Sequence, residues 1–476
     1  MKNHLLTLCL IIQVSCLNSQ FVSIGPTGSS TYNANNSHAN GTGQIHCIAF
    51  HPNFPTTNFI LAGSPFGGLW KSTDGGSTWS VVDAVQHLET NSVNEITISY
   101  IGTTTTIYIA TGSSNTHSPY IPSCGLYKST DLGNTFTPVP NFNTLGTGFT
   151  FHKRKLVTKV AVHPTNPDIV FVATSDGLYK STNATSASAS WQLVLTENEP
   201  PANWSSNWLD PEVPGIWAVQ FSPNDPNTVY ASGQNVYRST SSGNSGTFSI
   251  LTNTAFDNFF PTSAFTVQQR NMNFKVVNNS SVDNIYCTAF AIYKEAYTYT
   301  ASGVLGQNTI TTTTAPNGVV SGMNVSGTGI GDNAVVSSVL GNVITLSKVN
   351  SGTVSGTITF SRNVSHFGMY LHNNTAWSTI ATDNNQWSET WHIPTVDRLK
   401  LDVRPANVST VVAGSTQVLR STNSGSTWNA LTQYYSSGHP DIHELKYEPN
   451  GTFLLIGNDG GIYKYTEASG LLGGVN

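Results

Sequence analysis

The stretch GLWKSTDGGSTW, residues 68–79, decides how the chain is organised, because it comes back. GLYKSTDLGNTF stands at 125–136 and VLRSTNSGSTW at 418–428. In each, a short alternation of apolar and polar residues runs into Ser-x-Asp-x-Gly-x-Thr (Asn for Asp in the last) and closes on an aromatic residue. Period-two alternation on either side of a Gly-containing turn is the pattern of a hairpin with one buried face.

A different phrase recurs between these hairpins: an apolar alternation, a turn rich in Pro or Asn, and a second apolar run ending on a small residue. It reads IAFHPNFPTTNFILAG (48–63), VAVHPTNPDIVFVAT (160–174), VQFSPNDPNTVYAS (219–232), LDVRPANVSTVVAG (401–414) and LKYEPNGTFLLIG (445–457). Two versions lacking the Pro, ITISYIGTTTTIYIATG (96–112) and FKVVNNSSVDNIYCTAF (274–290), bring the copies to seven. Each is followed by a hairpin opening on a phrase such as GLWKST, NVYRST or GIYKYT. Four antiparallel strands repeated seven times predict an all-β fold, a seven-bladed β-propeller of four-stranded antiparallel blades. The seventh unit stops after three strands, and Phe21–Ile24 match the missing fourth. Pairing them would close the ring and remove two exposed edges. A chain cut from a longer protein is the other reading of the same ending.

Residues 301–360, rich in Thr, Val and Gly and nearly uncharged, interrupt the fifth copy and read as a small β-module inserted in blade five. At the other end, Lys2 and His4 precede LLTLCLIIQV, an apolar core too short to span a bilayer. The expected organisation is therefore a signal peptide at 1–19 and blades one to five (first part) at 20–300. The inserted module follows at 301–360, then blades five (second part) to seven at 361–476. Such a chain is expected to be secreted or held at the cell surface, with no transmembrane segment.

Of the 476 residues only 9% are charged, and the formal net charge of -5 gives no reason to expect nucleic acid as a partner. The one basic run, Lys153 to Lys155, reads as a solvated face. Cys47, Cys124 and Cys287 are an odd, widely spaced set, neither a disulfide framework nor a zinc spacing, and are expected as buried free thiols.

The recurring turn has a structural chemistry. An Asp at its third position accepts several N–H and O–H groups. The Gly supplies a positive φ that a Cβ would resist, and the aromatic packs between neighbouring sheets. The residues assigned this role are Ser72, Asp74, Gly76 and Trp79; Ser129, Asp131, Gly133 and Phe136; and Ser421, Asn423, Gly425 and Trp428. Because Asn423 stands where the others carry an acid, and copies after Ser181 and Ser239 have lost the acid, a catalytic role is not expected here.

STDGGSTW resembles the Asp-box of bacterial neuraminidase repeats, which also occurs in sortilin-type propellers and two-propeller xyloglucanases. GQIHCIAFHPNFP with GSPFGGLWKSTDGGSTW, and HPDIHELKYEPNG with GNDGGIYK, are similar to a family of secreted bacterial propeller proteins. Members often end in a type IX secretion sorting domain. The resemblance implies the fold and export more than any activity.

In a propeller blade with strands A to D, the A–B and C–D turns share one face, and the B–C turns and D–A crossings share the other. The Asp-boxes are C–D turns, so ligand groups are sought on the opposite face. One candidate set there is GHPDIHE, with His439, Asp441 and His443 and the neighbouring Glu444. Asp441 and His443 are two apart and would point the same way from a strand. The set suits a divalent metal, an anionic ligand, or a hydrogen-bonded cluster pinning the crossing. A second is Asp459 in the B–C turn GNDGGIY. The resemblance to xyloglucanases implies paired aspartates in two such turns, but the corresponding SPFGG (64–68) carries no acid. Glycosidic cleavage needs two facing carboxylates. A third set is aromatic: Trp204, Trp208 and Trp217 before blade four, with Trp387, Trp391 and His392 before blade six. These suit either stacking on sugar rings or wedging between blades.

Sialidase chemistry is set aside. The seven arginines do not supply a substrate-binding triad, since Arg238 and Arg420 fill the same repeat slot as Lys71 and Lys128. The expectation is a monomeric propeller binding an extracellular glycan or protein through its B–C and D–A face. A glycoside hydrolase acting on extracellular polysaccharide is the alternative.

Overall fold

The computed structural model describes residues 21–25, 43–112, 121, 123–145, 155–197, 215–251, 265–382, 400–431 and 441–467. Among them the strands form seven antiparallel sheets, and six of these have four strands in simple order. The first sheet runs Cys47–Phe50, Ile60–Ser64, Gly68–Ser72 and Ser80–Val81, taken here as strands A to D.

The A strands of the sheets are Cys47–Phe50, Val93–Ile101, Val157–Val162, Ala218–Phe221, Phe265–Asn279, Lys400–Val403 and Ile442–Tyr447. Each lies against the next and the last lies against the first, so they form a closed ring. Each sheet is thus covered on both faces by its neighbours. That is why the B strands read as unbroken apolar or small runs: Ile60–Ser64, Val170–Thr174 and Val411–Gly414 are buried along their whole length. D strands such as Ser80–Val81 and Asn429–Ala430 are exposed.

The core is divided among the gaps between sheets. Leu61 and Leu69 of the first sheet meet Ile96 and Ile107 of the second, and Phe171 and Leu178 of the third meet Val219 and Ala231 of the fourth. The last gap closes the circle, with Leu455 and Ile462 of the seventh sheet packed on Ile48 and Ile60 of the first. Cys47, Cys124 and Cys287 are buried free thiols, as expected.

The seventh sheet takes its D strand from the other end of the chain. Phe21–Gly25 pairs antiparallel with Gly461–Thr466, Phe21 opposite Tyr465 and Ser23 opposite Tyr463. In the fifth sheet, strands B and C are unusually long: Val282–Gly303 and Val354–His372 stay paired from Ile285↔His372 to Gly303↔Val354. Positions 301 and 360 therefore fall inside continuous strands. The ribbon carries four short strands, Thr309–Thr312, Asn324–Ser326, Val336–Leu340 and Val343–Leu346. They enclose their own core around Ile310, Met323, Ile344 and Phe360.

Of the basic run only Lys155 lies within the described residues, and it departs from the reading as a solvated face. Lys155 is buried and bonded to Asp176, with its ammonium over the Tyr179 ring. Pairing is what permits a lysine to be enclosed there.

Candidate functional site

The recurring C–D turns come first, because their geometry shows what their acids do. Asp74 Oδ1 accepts from the Ser72 hydroxyl at 2.8 Å and the Thr78 N–H at 2.9 Å, and Oδ2 accepts from the Thr78 hydroxyl at 2.6 Å. Asp131 repeats this with Ser129 and Thr135. Asn423 accepts the Thr427 N–H at 2.9 Å and donates to its hydroxyl at 2.9 Å, so an amide builds the same turn. Gly76, Gly133 and Gly425 hold φ of 91, 83 and 91° while their N–H groups bond the Ser hydroxyls. The copy after Ser181 has kept its acceptor in another form: Asn183 takes the Ser190 N–H at 2.8 Å. The closing aromatic bridges sheets, as when Trp428 Nε1–H donates to Ile380 O at 3.1 Å.

The lysine slot of the same hairpins is also scaffold. Lys128 Nζ reaches Ala184 O, and Lys180 Nζ reaches Ser242 O and Asn244 Oδ1, each in the C–D turn of the following sheet.

The carboxyls of Asp74 and Asp131 are held down to about 2 by the Thr hydroxyls first, with the Thr N–H and Ser hydroxyl adding to them. Each group lies below its ordinary 3.8, so its contribution to stability is whole above that value and is lost as pH falls through about 2. The double variant Asp74→Asn/Asp131→Asn is expected to show a shallower fall in melting temperature between about pH 4 and about pH 2 than the parent. Circular dichroism at a series of pH values reads this, and equal slopes would show that the turns carry no such linkage.

These turns lie beside the A–B loops, as Gly75 N–H to Asn58 O shows at 3.1 Å. The opposite face has different chemistry. There Gln44, in the crossing into the first sheet, meets His443 and Asp459 of the seventh. Asp459 Oδ1 accepts from Gln44 Nε2–H at 2.7 Å and lies 2.6 Å from His443 Nε2, which donates to it when that nitrogen is protonated. The His443 ring packs on His46 with centroids 4.4 Å apart. His443 is buried, whereas the Asp459 side chain keeps 31% of its exposure.

The cluster stands at one end of a channel of about 580 Å³ along the axis of the ring, lined by residues from all seven A strands or their approaches. His46, Trp217 and His443 line its end on this face, and Ser222, Pro223 and Pro164 its other end.

Asp459 sits, as the sequence suggests, in a B–C turn, between Asn458 and Gly461 of a tight hairpin. Asp441 departs from its expected placement. It precedes the A strand with a φ of 65°, and a register shift between Ile442 and Glu444 makes His443 a bulge. The alternation argument that aimed Asp441 and His443 the same way therefore fails, because a bulge rotates the chain by one residue. Among the described residues no three His, Cys, Asp or Glu groups converge as a metal site. His439, Trp204, Trp208, Trp387, Trp391 and His392 lie outside the described residues. Trp217, from the same aromatic run, lines the channel, and its enclosed Nε1–H meets no acceptor among the described residues. The sequence reading missed Gln44 and His46, since no repeat marks the crossings. It also missed the polar side chains of the A strands, although those stand at alternate positions in NEITISY and IHELKYEP.

No protein-family model and no curated protein matches the chain. Solved structures that resemble it include the GH74 xyloglucanase from Xanthomonas campestris, 12% identical with a TM-score of 0.49. That match covers 94% of this chain and 54% of the enzyme, so this chain spans about half of its length. YCF48 from Cyanidioschyzon merolae is 12% identical over 94% of this chain and 98% of its own, with a TM-score of 0.45. The GH74 enzyme of Niastella koreensis is 17% identical over 95% of this chain and 73% of its own, with a TM-score of 0.34. Among the described residues no helix is long and apolar enough to cross a membrane.

Proposed function

We propose that the protein is an exported propeller that binds an extracellular glycan or protein ligand through the face of its B–C turns and D–A crossings. The observation that carries this reading is the engagement of Asp459. Its carboxylate is occupied by Gln44 and His443 at the mouth of the channel, which makes a fixed polar rim. A hydrolase would need this acid and a second one poised on opposite sides of a scissile bond. Rims of loops around an axial opening are where propellers bring ligand groups together without moving the scaffold.

The test is a glycan-array screen of the exported protein alongside Asp459→Asn, with reducing ends assayed on every glycan retained. Asn keeps an oxygen for the Gln44 N–H, so binding is expected to survive within about threefold, with no product released. Release of reducing ends that Asp459→Asn abolishes would overturn the binding reading in favour of polysaccharide hydrolysis.

A further inference from the structure

The interior of the channel carries charge that the rim does not need. Its walls hold Lys159, Lys275, Lys400 and Lys446, four of the chain's 20 Lys and Arg residues, in a molecule whose formal net charge is -5. Against them stand the carboxylates Glu95, Asp402 and Glu444. Two lysines have dedicated partners: Lys159 lies 2.7 Å from Glu95 and Lys275 lies 3.0 Å from Asp402. The second oxygen of Asp402 is taken by the Tyr447 N–H at 2.8 Å. That leaves Glu444 as the remaining carboxylate facing Lys400 and Lys446, neither of which makes an ion pair among the described residues.

The surroundings show the imbalance. Burial first, then the Lys275 and Lys159 charges, pull the Lys446 ammonium below its ordinary range, with Asp402 and Glu444 only partly opposing them. Like charges gathered along one concave channel focus a positive field there. Lys400 and Lys446 share one carboxylate, so the channel carries a surplus of positive charge that suits a compact group rich in oxygen acceptors and negative charge.

We propose that the axial channel is a binding site for a small oxyanionic ligand, a carboxylate- or phosphate-bearing molecule, received by Lys400 and Lys446. This is a site distinct from the rim of the proposed function. Its size falls within the range of small-molecule pockets. Glu444 competes with the ligand for the same two ammonium groups and so sets the affinity.

The test is isothermal titration of the purified full chain at low ionic strength with galacturonate, inorganic phosphate and, as the neutral counterpart, galactose. Galacturonate or phosphate is expected to bind at one site and galactose not at all; which anion binds tighter identifies the acid group. Lys400→Met and Lys446→Met are each expected to weaken binding about tenfold or more, and Lys71→Met, outside the channel, to leave it unchanged. Glu444→Gln is expected to tighten binding several-fold, a gain that a purely structural role for these residues would not produce. Should a lysine variant fail to fold, the anion-dependent change in indole emission, expected to disappear in Trp217→Phe, reports the same site. No binding of either anion, binding unmoved by the Lys400→Met/Lys446→Met double variant, or equal binding of galactose would overturn the proposal.

Discussion

Glu467→Ala is expected to lower the unfolding free energy by about 3–5 kcal/mol, the cost of leaving a buried cation without its partner. The side chain, 5% accessible, follows the end of strand C in the seventh sheet. It accepts from Arg420 through Nε at 3.1 Å and Nη2 at 2.6 Å, a two-pronged pair that ties the sixth sheet to the seventh. The Tyr447 hydroxyl adds a third bond at 2.8 Å and Arg404 stands at 3.7 Å. Truncation would strip all of these at once and strand Arg420, whose side chain is only 13% accessible. A fall in the denaturant midpoint at unchanged slope reads the effect. Glu467→Gln, which keeps the shape and one acceptor oxygen but replaces the other with an NH2 donor and carries no charge, is expected to fall between the parent and the alanine variant. A loss below about 1 kcal/mol for Ala would mean that the pair behaves as an exposed one.

A variant lacking Phe21–Gly25 is expected to lose about 3–5 kcal/mol, taking roughly 1 kcal/mol for each lost ladder bond. The ladder runs from Phe21↔Tyr465 to Gly25↔Ile462 and joins the two ends of the described chain across one sheet. Without it the strand Gly461–Thr466 becomes an open edge with unpaired backbone groups. Edges of that kind pair with other chains. The expected readout is thus double: a lower denaturant midpoint and concentration-dependent association in light scattering. An unchanged midpoint with a monomeric variant would show that the closing strand contributes nothing.

The fold was legible because the propeller repeats its physics. The blades bury both faces of the central part of their B strands, so each repeat announces itself as a short apolar run ending on a small residue. The closing strand was legible for the same reason, as a unit missing from one end and present at the other. Register was not. The bulge at His443 and the positive φ of Asp441 broke an alternation that their spacing implied. Nothing local in HPDIHE marks a bulge, whose position depends on the partner strand.

The candidate site was legible only in outline. Topology put Asp459 on the face away from the Ser-x-Asp-x-Gly turns, and it stands there. Its partners Gln44 and His443 are 399 residues apart and meet only because the ring closes between the seventh sheet and the first. Charges of the channel were scattered over five of the seven repeats, each looking like an ordinary polar position of a strand.

The sequence by itself thus determined the repeat, the number of strands in each unit, the face on which the recurring turns lie and the role of Asp74, Asp131 and Asn423. Those are local properties, set by alternation and turn chemistry within a few dozen residues. The tertiary structure alone decided which side chains converge: the Gln44, His443 and Asp459 rim, and the lysines facing Glu444 on the axis. Convergence around a closed ring is a property of the closure, and no stretch of chain contains it.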